Sequence, residues 1–278
     1  PAKSGEYVLK FRDLGGRFSS GEASVILTIP SLREELSLPQ IREQTAFSGN
    51  KTNVQVTSNK LTLTDPATNA SGSYTFNNVL DLGAVFSLKI NSHIISTSAN
   101  VSDFFDSIPD LDARLNFDGA AAEKVNGALL VRTSTDAVSY GSYNKFQSGT
   151  FRARAFDFKA ELETTDTNEN ILVSELGVDA FMQARTEQST TIKTSGTSAS
   201  GFNVSFNNSF FTGTSAIGGS TSAYPPSIGI TAQNMASGDF FEITNITGSG
   251  FTIIFKNSSN SPVSRNFSYS AVGYGRGG

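Results

Sequence analysis

At 278 residues the chain is long enough for two or three domains, each closing its own hydrophobic core. Its 25 Gly, 22 Phe and 7 Tyr, with no Trp, favour strands and turns, and the composition matches no disordered class. The absence of Cys removes disulfides, thiolate nucleophiles and cysteine-based zinc sites, and a net charge of −4 spread along the sequence leaves no basic stripe for nucleic acid.

No run approaches the roughly 20 consecutive apolar residues that a membrane helix needs, so no transmembrane segment is expected. No signal-peptide pattern opens the chain either. Because the first β-rich run begins only a few residues after Pro1, the chain is expected to be a piece of a longer polypeptide.

The first two β-rich runs, residues 7–12 and 22–29, flank a Gly/Ser turn and predict a hairpin, the remnant of a truncated sheet. Leu32 and Leu36 then stand at helical spacing, but Pro39 interrupts the pattern, so residues 32–44 predict a short helical turn or a linker. From Asn53 onward the period is two. Val54 and Val56 alternate with polar residues, as do Leu61 and Leu63, and Tyr74 and Phe76. Phe86, Leu88 and Ile90 oppose Ser87, Lys89 and Asn91; Phe156, Phe158, Ala160 and Leu162 oppose Asp157, Lys159, Glu161 and Glu163; Leu176, Val178, Ala180 and Met182 oppose Asp179 and Gln183. Antiparallel sheets with one dry and one wet face produce this pattern, and many in series imply a sandwich or jelly roll.

Residues 186–201 are rich in Ser, Thr and Gly and predict a linker or long loop. Beyond them five short β-rich runs, 202–206, 227–232, 240–244, 251–256 and 267–273, predict a small all-β domain. Phe206, Phe251, Ile253, Phe255 and Phe267 are its expected core.

Candidates for chemistry are few. The single histidine, His93, has no second imidazole or thiol beside it in composition, and no nucleophile elbow supports a triad. Carboxylates cluster at Asp103, Asp106, Asp110, Asp112 and Asp118 without EF-hand spacing. Turn chemistry explains them as a solvated loop, with calcium ligation at Asp103, Asp106 and Asp110, or a hydrolytic carboxylate pair, as alternatives. Gly15-Gly16 and Gly218-Gly219 lack the Lys-Ser/Thr of a phosphate loop. No cofactor and no catalytic residue are expected. Near the end, Tyr224, Phe240, Arg265, Tyr269 and Tyr274 combine flat apolar faces with hydrogen-bonding groups, the mixture that sugar rings and protein surfaces require.

The run of residues 224–245, with 250–258, 264–269 and 271–275, resembles the end of phage tail-fibre and host-specificity proteins. In that family the terminal domain is a small β-sandwich similar to H-type lectin modules. Residues 72–76, 80–83, 151–156 and 171–178 resemble the galactose-binding-like jelly roll of central tail fibres of the lambda host-specificity type, and residues 1–30 look like the last strands of a fibronectin type III domain.

The resemblance implies three segments: a fibronectin-like remnant over 1–30, a jelly roll over 31–187 and a tip sandwich over 188–278. It further implies a homotrimeric fibre at the tip of the virion, attached to other tail proteins and binding an outer-membrane protein or surface glycan of the host without enzymatic activity. A spacer or trimerisation module is the first alternative, and a glycan depolymerase using Asp103 and Asp110 the second.

Overall fold

The computed structural model describes residues 5–9, 23–27, 35–100 and 124–277. Strands β1 (Gly5–Leu9) and β2 (Ala23–Leu27) pair antiparallel with Tyr7 opposite Val25, forming the expected hairpin. Next come β3 (Glu35–Ser37) and β4 (Ile41–Arg42), where leucine spacing suggested a helical turn. Both hydrogen-bond to one edge of a long strand, β13 (Glu169–Gln188), so they are two pieces of one edge strand. Pro39, which has no N–H for a ladder, sits in the gap between them. Burial of Leu38, whose N–H donates to the Ala180 carbonyl at 2.9 Å, decides the strand over the helix.

Four short strands follow: β5 (Asn50–Thr52), β6 (Val54–Thr57), β7 (Lys60–Leu63) and β8 (Ser71–Thr75). Then come β9 (Leu80–Asn100), β10 (Val125–Ser134), the two-residue β11 (Asn144–Lys145), β12 (Gly149–Thr164) and β13. The long strands lie in the order β10-β12-β9-β13, and the short ones curl the sheet over its own inner face. Every strand pair is antiparallel. Among the described residues there is no helix, and the architecture is an all-β sandwich.

The alternation read from sequence sets this core. Phe86, Leu88 and Ile90, Phe156, Phe158 and Leu162, and Leu176, Val178 and Met182 are all buried in one cluster with Leu61, Leu63 and Tyr74. Two bulges adjust the parity. The register shifts between Ala153 and Ala155, after which even-numbered residues face inward, and again between Val173 and Glu175, where the inward set passes from Ile171 and Val173 to Leu176 and Val178. Asp157 departs from the expected wet face. A loop over residues 135–147 covers it, and it accepts hydrogen bonds from Arg132 Nε and the Tyr143 hydroxyl, each at 2.8 Å.

The C-terminal lobe is built from β14 (Lys193–Thr194), β15 (Phe202–Ser205), β16 (Ser227–Gln233), β17 (Phe240–Thr244), β18 (Gly250–Lys256) and β19 (Asn266–Tyr274). One layer has the order β15-β18-β17; in the other, β19 lies between β16 and the strands β14 and β13. Phe206, Phe251, Ile253, Phe255 and Phe267 are buried between the layers, joined by Val204, Phe210 and Tyr269.

The stretch 186–201 is less of a loop than its composition suggested. Thr186, Glu187 and Gln188 are strand, paired with Val272, Ala271 and Ser270. β13 therefore belongs to both lobes: its first part pairs with β9 and its last five residues with β19. Phe211 and Ile217 leave the C-terminal lobe to enter the larger core, with Tyr224 and Tyr274 packed against it.

Candidate functional site

The five aromatic and cationic residues singled out from sequence do not converge. Tyr269 is only 6 % exposed and belongs to the core of the C-terminal lobe. Its hydroxyl donates to Glu187 Oε1 at 3.3 Å, and its own pKa is raised, first by burial and then by that carboxylate. Tyr224 stacks on Phe211 with ring centroids 6.2 Å apart and an interplanar angle of 22°, at the seam between the lobes. Tyr274 packs at the same seam, and its carbonyl accepts from the Phe211 N–H at 2.8 Å. These three tyrosines hold the fold together.

Phe240 and Arg265 lie at the surface end of the C-terminal lobe. Arg265 Nε donates to Asp239 Oδ2 at 2.5 Å, and the same carboxylate oxygen accepts from the Ala236 N–H at 2.7 Å. The guanidinium, followed by the backbone N–H, holds the Asp239 carboxyl below its usual range. Residues 234–239 are thereby clasped into a tight turn between β16 and β17, and the turn delivers Phe240 to the start of the edge strand. Phe240 is 40 % exposed on the outer face, opposite Lys256, whose ammonium lies 6.0 Å from its ring centre. Lys256 is itself paired with Glu242 at 2.8 Å.

Phe241 has the opposite orientation. It faces the core side, 5.6 Å ring to ring from Phe255, yet remains 38 % exposed because β17 is the last strand of its layer. Met235 and Ile246 are exposed at the two ends of the same strand. Among the described residues β17 is thus an unpaired edge with bulky apolar side chains on both faces, a feature that monomeric proteins normally cover. The sequence points to Phe240 and Phe241 as aromatics of the terminal segment, whereas Met235 and Ile246 carry no such signal. Nothing in the sequence shows which strand ends a layer.

The chain matches no known family model, and no curated protein or solved structure is significantly similar to it.

The other candidates resolve into structural groups. His93 Nε2 lies 2.5 Å from Glu175 Oε2 on the outer face of the paired strands β9 and β13. Asp103, Asp106, Asp110, Asp112 and Asp118 lie outside the described residues. Among the described residues, no group of three or more His, Asp or Glu side chains stands close enough to hold a metal ion. The most polar cluster surrounds Asp157. There Arg132 lies 4.6 Å from the Tyr143 ring centre and 5.0 Å from that of Tyr140, and burial followed by the Asp157 hydrogen bond pushes the Tyr143 hydroxyl up to about 12. Each charge in it has a partner, so the cluster fastens the loop over residues 135–147 to the sheet.

Proposed function

We propose that the chain is the host-facing portion of a bacteriophage tail fibre, which adheres to a receptor on the bacterial surface, an outer-membrane protein or glycan, and catalyses no reaction. One observation carries this reading: the edge strand β17 exposes Phe240 and Phe241, with Met235 and Ile246 at its ends. Aromatic side chains on a rigid sheet contribute large contact area with little entropy to lose, and neighbouring Ser, Gly and Asn turns supply adaptable hydrogen bonds. The resemblance of residues 224–275 to tail-fibre ends supports the same assignment and, with it, a position at the tip of the virion. The test is competition. Purified chain should block adsorption of virions to susceptible cells, and Phe240→Ser should weaken the block; undiminished adsorption at saturating chain would refute the reading.

Phe241 favours a second role beside the first. A core-facing ring at an unpaired edge is what a second copy of the chain would cover, and repetition about a threefold would raise avidity from weak single contacts. A homotrimer is the expected assembly. Sedimentation or native mass measurement should give three times 29.5 kDa, and a monomer at micromolar concentration would remove this role.

A further inference from the structure

The strand shared by the two lobes creates a site of its own. β9 and β13 run side by side as far as the pair Lys89 and Phe181, then separate, because β13 continues into the C-terminal lobe. The last residues of the chain enter this fork. The Gly275 N–H donates to the Gln183 carbonyl at 3.1 Å, the Ser87 N–H donates to the Arg276 carbonyl at 3.3 Å, and Gly277 bridges Phe86. Gly275 adopts φ +69°, and a Cβ there would meet Met182, Phe211 and Phe86, each at 3.2 Å, so any other residue would be strained in the wedge.

Above the fork lies an open groove of about 570 Å³, within the usual range for small-ligand clefts. Its floor is a cross-strand row of Thr150, Lys89 and Phe181, adjacent in register on three neighbouring strands. Its far wall is held in place by one buried ion pair. Arg185 donates from Nε to the Gly275 carbonyl at 2.8 Å, to the Asn208 carbonyl, and from Nη1 to Glu187 at 3.1 Å. Glu187 in turn accepts from the Asn207 N–H at 2.7 Å. Arg185 and Glu187 therefore neutralise each other while fixing Asn207 and Asn208 at the rim.

What remains is positive. Lys89 and Arg276 line the groove, and Arg152 stands beside it, paired in register with Ser87; none of the three has an anionic partner among the described residues. Against these three cations stands one carboxylate, Glu35, opposite Gln183 in register, so the groove keeps a net positive charge in a chain of net charge −4 and offers a place for an anion. The rest of the lining suits a sugar: the Lys89 ammonium lies 6.0 Å from the centre of the half-buried Phe181 ring, which sets a cation beside an apolar surface, and the amides of Gln183, Asn207 and Asn208 are there for hydroxyls. We propose that the interlobe groove binds an acidic saccharide, a sugar bearing a carboxylate or a phosphate, with Lys89 and Arg276 taking the charge and Phe181 the ring.

The experiment is ligand-observed NMR and calorimetric titration of the full chain with glucuronic acid, glucose 6-phosphate, glucose and inorganic phosphate. The two acidic sugars should bind at least about tenfold more tightly than glucose or phosphate, with affinity falling as salt is added. Arg276→Gln, at an exposed side chain, and Lys89→Gln should each reduce that preference, and Phe181→Ala should weaken every sugar. The relative affinity of glucuronic acid and glucose 6-phosphate tells carboxylate from phosphate as the preferred anion. Equal binding of glucose, binding of phosphate as tight as that of the sugar phosphate, no binding at all, or acid binding unchanged in both cation variants would each overturn the assignment. No cells enter the measurement, so its outcome is independent of the adhesion at β17.

Discussion

At the scale of single residues, paired charges away from bulk water are sensitive points, because removing one partner leaves the other buried and uncompensated. Arg185 and Glu187 are the clearest case, because the carboxylate is only 8 % exposed and the guanidinium also lies 3.6 Å from the Phe210 ring centre. Arg185→Ala would leave Glu187 buried without its cation and release the carbonyls of Gly275 and Asn208. Chemical denaturation should show a loss of about 3 kcal/mol. The same substitution at Lys256, whose partner Glu242 is exposed, should cost less than about 1 kcal/mol. Asp239 gives a prediction in pH. Its folded pKa lies below the ordinary aspartate value of 3.8, so the Arg265 clasp contributes stability above that value and loses it as pH falls through the folded pKa. A carboxyl-carbon NMR titration should place the Asp239 midpoint below 3.8; a midpoint at or above it would contradict the clasp. Neither network was legible in the sequence, since Glu187 lies in a Ser/Thr-rich stretch and its partners Tyr269 and Asn207 are distant in the chain. Tyr269 itself was legible and was misjudged: it shares the parity of Phe267 and Ala271, both core residues.

At the scale of elements, period-two alternation identified parts of β9, β12 and β13 because each has one face against the core, but not β10, and the two bulges appear in the structure as changes of parity. The edge pieces β3 and β4 were hidden because leucines at positions 32 and 36 imitate a helical repeat and strands of three and two residues are too short to show an alternation of their own. Thr186 to Gln188 looked like linker because Ser and Thr mark loops by composition, although threonine also fits a half-buried strand. The close packing of β4 on β13 is testable at Gly177. A Cβ there would lie 2.2 Å from the Ile41 carbonyl oxygen, so Gly177→Ala must push the two strands apart. Hydrogen exchange should accelerate at the Leu38 and Glu43 amides, which donate to Ala180 and Leu176, while the β9 to β13 ladder stays protected. Unchanged protection at Glu43 would show that the strands can yield without parting.

At the scale of the molecule, the two lobes share a strand, a wedge and part of a core. Phe86 meets Phe211 edge to face at 5.4 Å across the seam. Calorimetry of the whole chain should therefore show residues 35–277 unfolding in one transition, and a fragment ending at residue 187 should bind hydrophobic dyes; two separated transitions would mean that the lobes are independent. A body joined in this way holds β17 at a fixed distance and angle from the larger lobe, the rigidity that the proposed recognition surface would require. The most direct measurement is binding of fluorescently labelled chain to cells that adsorb the virion and to adsorption-resistant mutants of them. The account predicts saturable binding to the former alone, reduced at least about tenfold by Phe240→Ser, in line with the loss of one buried aromatic contact. Equal labelling of both cell types, or binding indifferent to Phe240, would contradict it.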